Sequence, residues 1–147
     1  MPGINATITK FGYPATCLAE YAWWVVLLRP KQITFGTLVL ASKSDADSLG
    51  ALEPEAYAEM AHVTRDLQAA LKSVVANDKI NYICLMMVDP QVHFHVIPRH
   101  HTPRDFAGRR FADAFWPRPP DVTQALDVDE QTFVALQSAL KNAWVKA

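Results

Sequence analysis

Gln91, His93 and His95 occupy alternate positions of the stretch Gln91-Val92-His93-Phe94-His95-Val96. Alternation of polar and apolar residues is the period-two signature of a half-buried strand. One strand face therefore carries an amide and two imidazoles, spaced about 6.5–7 Å apart along the strand. Val92, Phe94 and Val96 turn to the other face, where they can pack. Three kinds of chemistry fit such a face. Two histidines can simply bond to backbone or water, although two on one face suit that reading poorly. They can share a metal ion, which requires a third and fourth ligand. His100, His101 and Asp89 are near in sequence, but strand geometry does not bring them to the same ion, and there is neither an HExxH run nor a cysteine pair at zinc spacing. The third kind is nucleophilic catalysis. A neutral imidazole attacks well near neutral pH, provided its other ring nitrogen carries the proton and donates it to a fixed acceptor. Phosphorus is a natural target, because a phosphoimidazole is reactive toward water and polar groups on the same face can hold the phosphoryl oxygens.

The elements that must position this strand are legible around it. Residues 23–28, Trp-Trp-Val-Val-Leu-Leu, read as a strand covered on both faces. Gly36 opens a second strand over residues 37–41, expected to pair antiparallel with the first. Pro54 suits the first turn of a helix, and Tyr57, Met60, Val63, Leu67, Leu71 and Val74 recur at steps of three and four, which predicts one amphipathic helix ending near Asn77. His62 lies off that stripe, on a solvated face. Residues 80–88 are too apolar for a surface and are expected to form a central strand, with Asp89-Pro90 making a tight connection into the histidine strand. Pro98 is expected to end that strand. Residues 99–120 read as loop, basic and with four further prolines. Asp127 or Asp129 can cap a last helix whose apolar face is Phe133, Leu136, Leu140 and Trp144. Strands, helix, strands, helix in that order predict an α+β domain with an antiparallel sheet.

Composition narrows the class. The chain has 147 residues, half of them hydrophobic and a fifth charged, the profile of one globular domain. Its 14 basic and 15 acidic residues nearly cancel, so no global field recruits nucleic acid or an anionic membrane, and an anionic ligand must be held by local groups. Cys17 and Cys84 lack CxxC spacing and read as free thiols of a reducing cytosol. The first residues show no leader pattern, and the longest apolar run, residues 21–28, is too short to span a bilayer. A cytoplasmic location is the expectation.

The stretch Gln91-Val92-His93-Phe94-His95-Val96-Ile97-Pro98-Arg99 resembles the histidine triad (HIT) motif, His-φ-His-φ-His-φ-φ, with Pro-Arg following as in the fragile histidine triad and related bacterial branches. The upstream elements fall in the order that family requires, so the resemblance covers roughly residues 15–105, with 106–147 a C-terminal loop and helix of the same 1–147 domain. It implies a HIT-like fold, a meander of about five antiparallel strands with one long central helix and a C-terminal helix. It also implies a nucleotide hydrolase or transferase acting on the α-phosphate of dinucleoside polyphosphates, phosphoramidates or similar conjugates. The resemblance makes His93 the nucleophile and His95 a phosphate ligand. It requires no cofactor and no metal, and it makes a homodimer the expected assembly.

The departures from the motif matter as much. The first triad position holds Gln91, which can donate and accept hydrogen bonds but cannot carry a catalytic proton. Thr37 follows Gly36 where many members have a further histidine, and Val88-Asp89-Pro90 replaces a glycine- and glutamine-rich phosphate loop. Asn81 matches a polar position of the preceding strand, a phosphate or ribose contact by resemblance. Arg29, Lys31, Arg99 and Arg104 are candidate phosphate clamps, because arginine forks match phosphate oxygens. Asn81, Thr37, Arg29 and Arg99 are thus the expected substrate-binding residues. The alternatives left open are a nucleotide-binding protein of this fold without turnover, and a metal-binding domain using His93 and His95.

Overall fold

The computed structural model describes residues 2–146. In chain order it places α1 (Ala6–Lys10), β1 (Cys17–Glu20), β2 (Trp24–Leu28), a short β3 (Lys31–Gln32), β4 (Leu38–Ser42), α2 (Pro54–Val74), β5 (Lys79–Ile83), β6 (His93–Arg99), β7 (Arg104–Phe106), β8 (Arg109–Phe111), β9 (Leu126–Asp127) and α3 (Glu130–Ala143). Five strands form one sheet in the order β1-β2-β4-β6-β5, antiparallel throughout. This is the α+β architecture that the element order predicts.

Register assigns the faces. His93 stands opposite Ala41, and His95 lies between Val39 and Ile83, with Asn81 across from Ile97. Val25 and Leu27 share that face through their pairing with Ala41 and Val39. The other face carries Trp24, Val26, Leu28, Leu40, Phe94 and Val96, and packs on Val63, Leu67 and Leu71 of α2 and on Leu136 and Leu140 of α3. Burial of side chains of this size contributes about 1.5–3 kcal/mol each. Pro54 opens α2, and Asp129 caps α3 by accepting the Thr132 N–H. Tyr21, half-buried at the end of β1, donates its hydroxyl to Asp66 of α2 and accepts from the Trp144 indole, so one phenol ties both helices to the sheet.

Four expectations differ from what the fold shows. β5 is an edge strand, not a central one, and it stops at Ile83; the apolar residues after it are displayed, with Met87 and Val88 more than four-fifths exposed. Unbroken hydrophobicity signals burial only when something covers it, and among the described residues no element covers Leu85, Met87 and Val88. The tight Asp89-Pro90 connection is instead a longer loop, residues 84–92, with Met86 in the left-handed region at φ 52°. Pro98 does not stop β6. Pairing with β4 ends at Val96, so Pro98 sits where the strand has a neighbour on one side only, and a missing N–H is tolerated. The basic stretch after Arg99 also holds a hairpin, β7–β8, whose Phe106 and Phe111 pack on Phe35.

Gly36 makes the turn before β4 at φ 95°, and a Cβ there would lie 2.9 Å from Val75 at the end of α2. Gly36→Ala is therefore expected to lower the unfolding free energy by about 2–4 kcal/mol, from left-handed strain plus overpacking, as read by urea denaturation.

Candidate active site

His93 and His95 enter the same face of β6 because strand neighbours on one face are two residues apart. Their rings meet edge to face with centroids 5.3 Å apart. Both are buried. The Nδ1 atom of His93 lies 2.8 Å from the backbone oxygen of Gln91. A carbonyl oxygen only accepts, so Nδ1 carries the proton and Nε2 holds the free lone pair. That is the tautomer a nucleophilic imidazole requires.

His95 is held neutral. Burial, the neighbouring His93 and the Arg29 charge, partly offset by Asp89, push its pKa down to about 4. Its Nδ1 is buried and has no hydrogen-bond partner among the described residues. An orphaned buried polar atom of this kind is rare in folded proteins and calls for a ligand or a functional explanation.

The lid over the histidines comes from the N-terminal stretch, which sequence reasoning passed over. The Phe11 ring lies 5.4 Å from that of His93 and 6.0 Å from that of His95. The hydroxyl of Thr7 donates to Oε1 of Gln91. Lys10 pairs with Asp89 at 2.7 Å, tying the end of α1 to the loop that leads into β6. Five residues are too few to show helical periodicity. Asn5 was the available signal, since its side chain accepts the Ile8 N–H as an N-cap does.

Of the residues expected to bind substrate, Arg29 is the one whose charge reaches His95. It borders a cleft of about 280 Å³ with Lys10, Phe11, Gly12, Pro30 and Lys31. Burial lowers the Arg29 pKa. Gln91 sits just before β6 and reaches the centre through both its backbone and its side chain. Asn81 shares the histidine face, but its Oδ1 accepts from Arg99 at 2.7 Å. Arg99 is buried and bonds to Asp113 through Nε at 2.7 Å and to the Arg118 oxygen through Nη2 at 2.7 Å. Its fork fastens the loop at 113–118 to the sheet. Burial tends to raise the Asp113 carboxyl, but Arg99 and the N–H groups of His100 and Phe115 outweigh it and hold it below the usual range. Thr37 is fully buried, and its hydroxyl donates to the Thr34 oxygen within the turn. Arg104 bonds to the Ala76 oxygen at the end of α2. Trp116 lines a separate cleft of about 690 Å³ between the β5 edge and Pro117–Pro120. No group of three or more His, Cys, Asp or Glu that could hold a metal ion occurs among the described residues.

A sequence model described as the HIT domain matches residues 20–102. Among solved structures, the fold is similar to a histidine triad protein from Bradyrhizobium japonicum, 24% identical over 98% of each chain with a TM-score of 0.72. It is also similar to a histidine triad (HIT) protein from Sinorhizobium meliloti 1021, 19% identical over 97% of each chain with a TM-score of 0.74. A zinc-bound histidine triad family protein from Mycobacterium smegmatis is 21% identical over 92% of this chain and 90% of that one, with a TM-score of 0.58. No curated protein matches the sequence.

Two outcomes follow from the geometry. Arg99→Ala leaves the Asp113 carboxylate buried without its cation and is expected to cost about 3–5 kcal/mol in urea unfolding at pH 7. Because the folded pKa of His95 is depressed from 6.5 to about 4, its contribution to stability is full above pH 6.5 and is lost as pH falls toward 4. Between pH 7 and pH 5 the unfolding free energy should fall, and in His95→Gln that fall should be smaller by on the order of 2 kcal/mol.

Proposed function

The chain belongs to the HIT domain family, whose model matches more than half of it, and we propose that it hydrolyses or transfers nucleoside monophosphate groups through a nucleotidyl-His93 intermediate. The observation that carries this reading is the Gln91 oxygen accepting the Nδ1–H of His93, which directs the Nε2 lone pair to a substrate. In the first step Nε2 attacks the α-phosphorus of a dinucleoside polyphosphate, phosphoramidate or similar conjugate. A phosphorus–nitrogen bond forms, and the bond to the leaving group breaks with its electron pair, the leaving group taking a proton from solvent. Positive charge develops on the His93 ring as this happens, and the hydrogen bond to the Gln91 oxygen becomes charge-assisted. Water then attacks the phosphorus, releasing the monophosphate and neutral His93. Gln91 and His95 flank the phosphoryl oxygens, Arg29 supplies positive charge, and the cleft beside Phe11 receives the nucleoside. No cofactor enters this scheme.

A nucleotide-binding protein without turnover is the second reading, favoured by one observation: Gln91 carries no proton that can be passed to a leaving group. The metal-binding alternative lacks a third ligand among the described residues. Two copies pairing as a homodimer belong to the same proposal, supported by the free edge of β5 and the exposed Leu85, Met87 and Val88. No helix among the described residues is long and apolar enough to cross a membrane.

Acid quench of a single turnover with an adenosine 5′-phosphoramidate, followed by intact-protein mass measurement, tests the reading. Wild type should gain one adenylyl group and His93→Ala none. Gln91→Ala keeps the backbone oxygen, so it should still form the adduct, about 10- to 100-fold more slowly for the loss of one donor. Adenylate bound equally by wild type and His93→Ala, with turnover in neither, would favour the binder.

A further inference from the structure

Gln91 offers two different faces to its surroundings, and only one of them suits a phosphoryl group. Its amide oxygen is an acceptor and its nitrogen carries two donors. Phosphoryl oxygens are acceptors, so a useful Gln91 must turn its nitrogen toward them. Nothing in the glutamine itself decides the orientation, since the two ends of the amide have nearly the same shape.

Thr7 decides it. Its side chain is buried, so its hydroxyl proton needs an acceptor, and the acceptor it has is Oε1 of Gln91. In the opposite orientation the Thr7 oxygen would accept from the amide N–H instead, and its own buried proton would lose the acceptor it has. Among the described residues the Nε2 of Gln91 has no hydrogen-bond partner, so both of its donors stay available. Thr7 is itself fixed, because Asn5 caps the short helix and its amide nitrogen donates to the backbone oxygens of Ser42 and Ser44 at 2.9 and 3.0 Å. Lys10 and Phe11 anchor the other end against Asp89 and the histidines.

We propose that Thr7 is a positioning residue that locks the Gln91 amide with its nitrogen toward the phosphoryl group, so that residue 91 acts as an aimed hydrogen-bond donor. The proposal rests on the hydrolase reading given above and adds a residue from outside the triad strand. Residue 91 then has two separable tasks: its backbone oxygen sets the His93 tautomer, and its side chain, set by Thr7, steadies charge on phosphorus.

The experiment is a steady-state comparison on an adenosine 5′-phosphoramidate using wild type, Thr7→Val, Thr7→Ser, Gln91→Ala and the Thr7→Val/Gln91→Ala double variant. Thr7→Val keeps the shape and removes the hydroxyl; it should lower kcat about five- to tenfold, with KM moved less than about twofold. Thr7→Ser, which restores a donor, should recover most of the rate. In the Gln91→Ala background, Thr7→Val should cost nothing further. A wild-type kcat in Thr7→Val, or the same loss with and without Gln91, would overturn the proposal, the second result marking Thr7 as merely structural. Absence of turnover in wild type would count against the hydrolase reading alone. The Thr7 link is then read by NMR of the Gln91 side-chain amide: Thr7→Val should shift the two Nε2 protons and Thr7→Ser should not, and resonances identical in all three would overturn it.

Discussion

The hydrogen bond from Nδ1 of His93 to the backbone oxygen of Gln91 is the contact on which the chemistry proposed for this site depends. It spans only two residues, yet it holds only if the chain before β6 is fixed relative to the strand. The Ala46 oxygen accepts the Val92 N–H, and the Val92 oxygen accepts the Ser42 N–H, which ties residue 92 to the end of β4 and to the loop that follows it. Pairing of β6 with β4 and β5 then sets the direction of both imidazoles. The tautomer of His93 is thus a consequence of sheet register, and the side chain at position 91 is not needed for it. A triad whose first imidazole is missing keeps this part of its geometry.

The two faces of the sheet do different work. Helices α2 and α3 seal one face with Val, Leu and aromatic side chains, a rigid backing for the histidine strand. The other face is only partly sealed. Ile8 of α1 packs on Val25, Leu27, Val39 and Ala41, and the Arg99–Asp113 pair pins the loop at 113–118 toward the far end of β6. Between these two covers lie His93 and His95, sheltered by Phe11. Shelter of this kind depresses the basicity of His95 and keeps its ring neutral near pH 7.

Patterns local in sequence proved readable. The histidine alternation, the α2 stripe and the α3 cap each express a period or a cap that needs no knowledge of distant residues. What failed to show in the sequence depends on pairing between distant segments. The apolar run after β5 reads the same whether a strand lies in the middle of a sheet or at its edge, and only sheet order distinguishes them. Arg99 follows the motif and has the chemistry of a phosphate clamp, but Asp113, fourteen residues on, takes its fork first. Thr37 is drawn into its own turn by Thr34. The contributions of Thr7 and Phe11 come from a segment more than eighty residues upstream of the strand it covers, and its five helical residues carry no repeating pattern.

The most direct test of the central claim is the tautomeric state of His93, read from the nitrogen-15 shifts of histidine-labelled protein near neutral pH. A solvated histidine side chain favours the proton on Nε2, so the predicted result is distinctive: a protonated Nδ1 and a bare Nε2 at His93, unchanged in Gln91→Ala because the backbone oxygen remains. A proton on Nε2, or two nitrogens averaging as in a solvated ring, would contradict the claim that this strand presents a nucleophile.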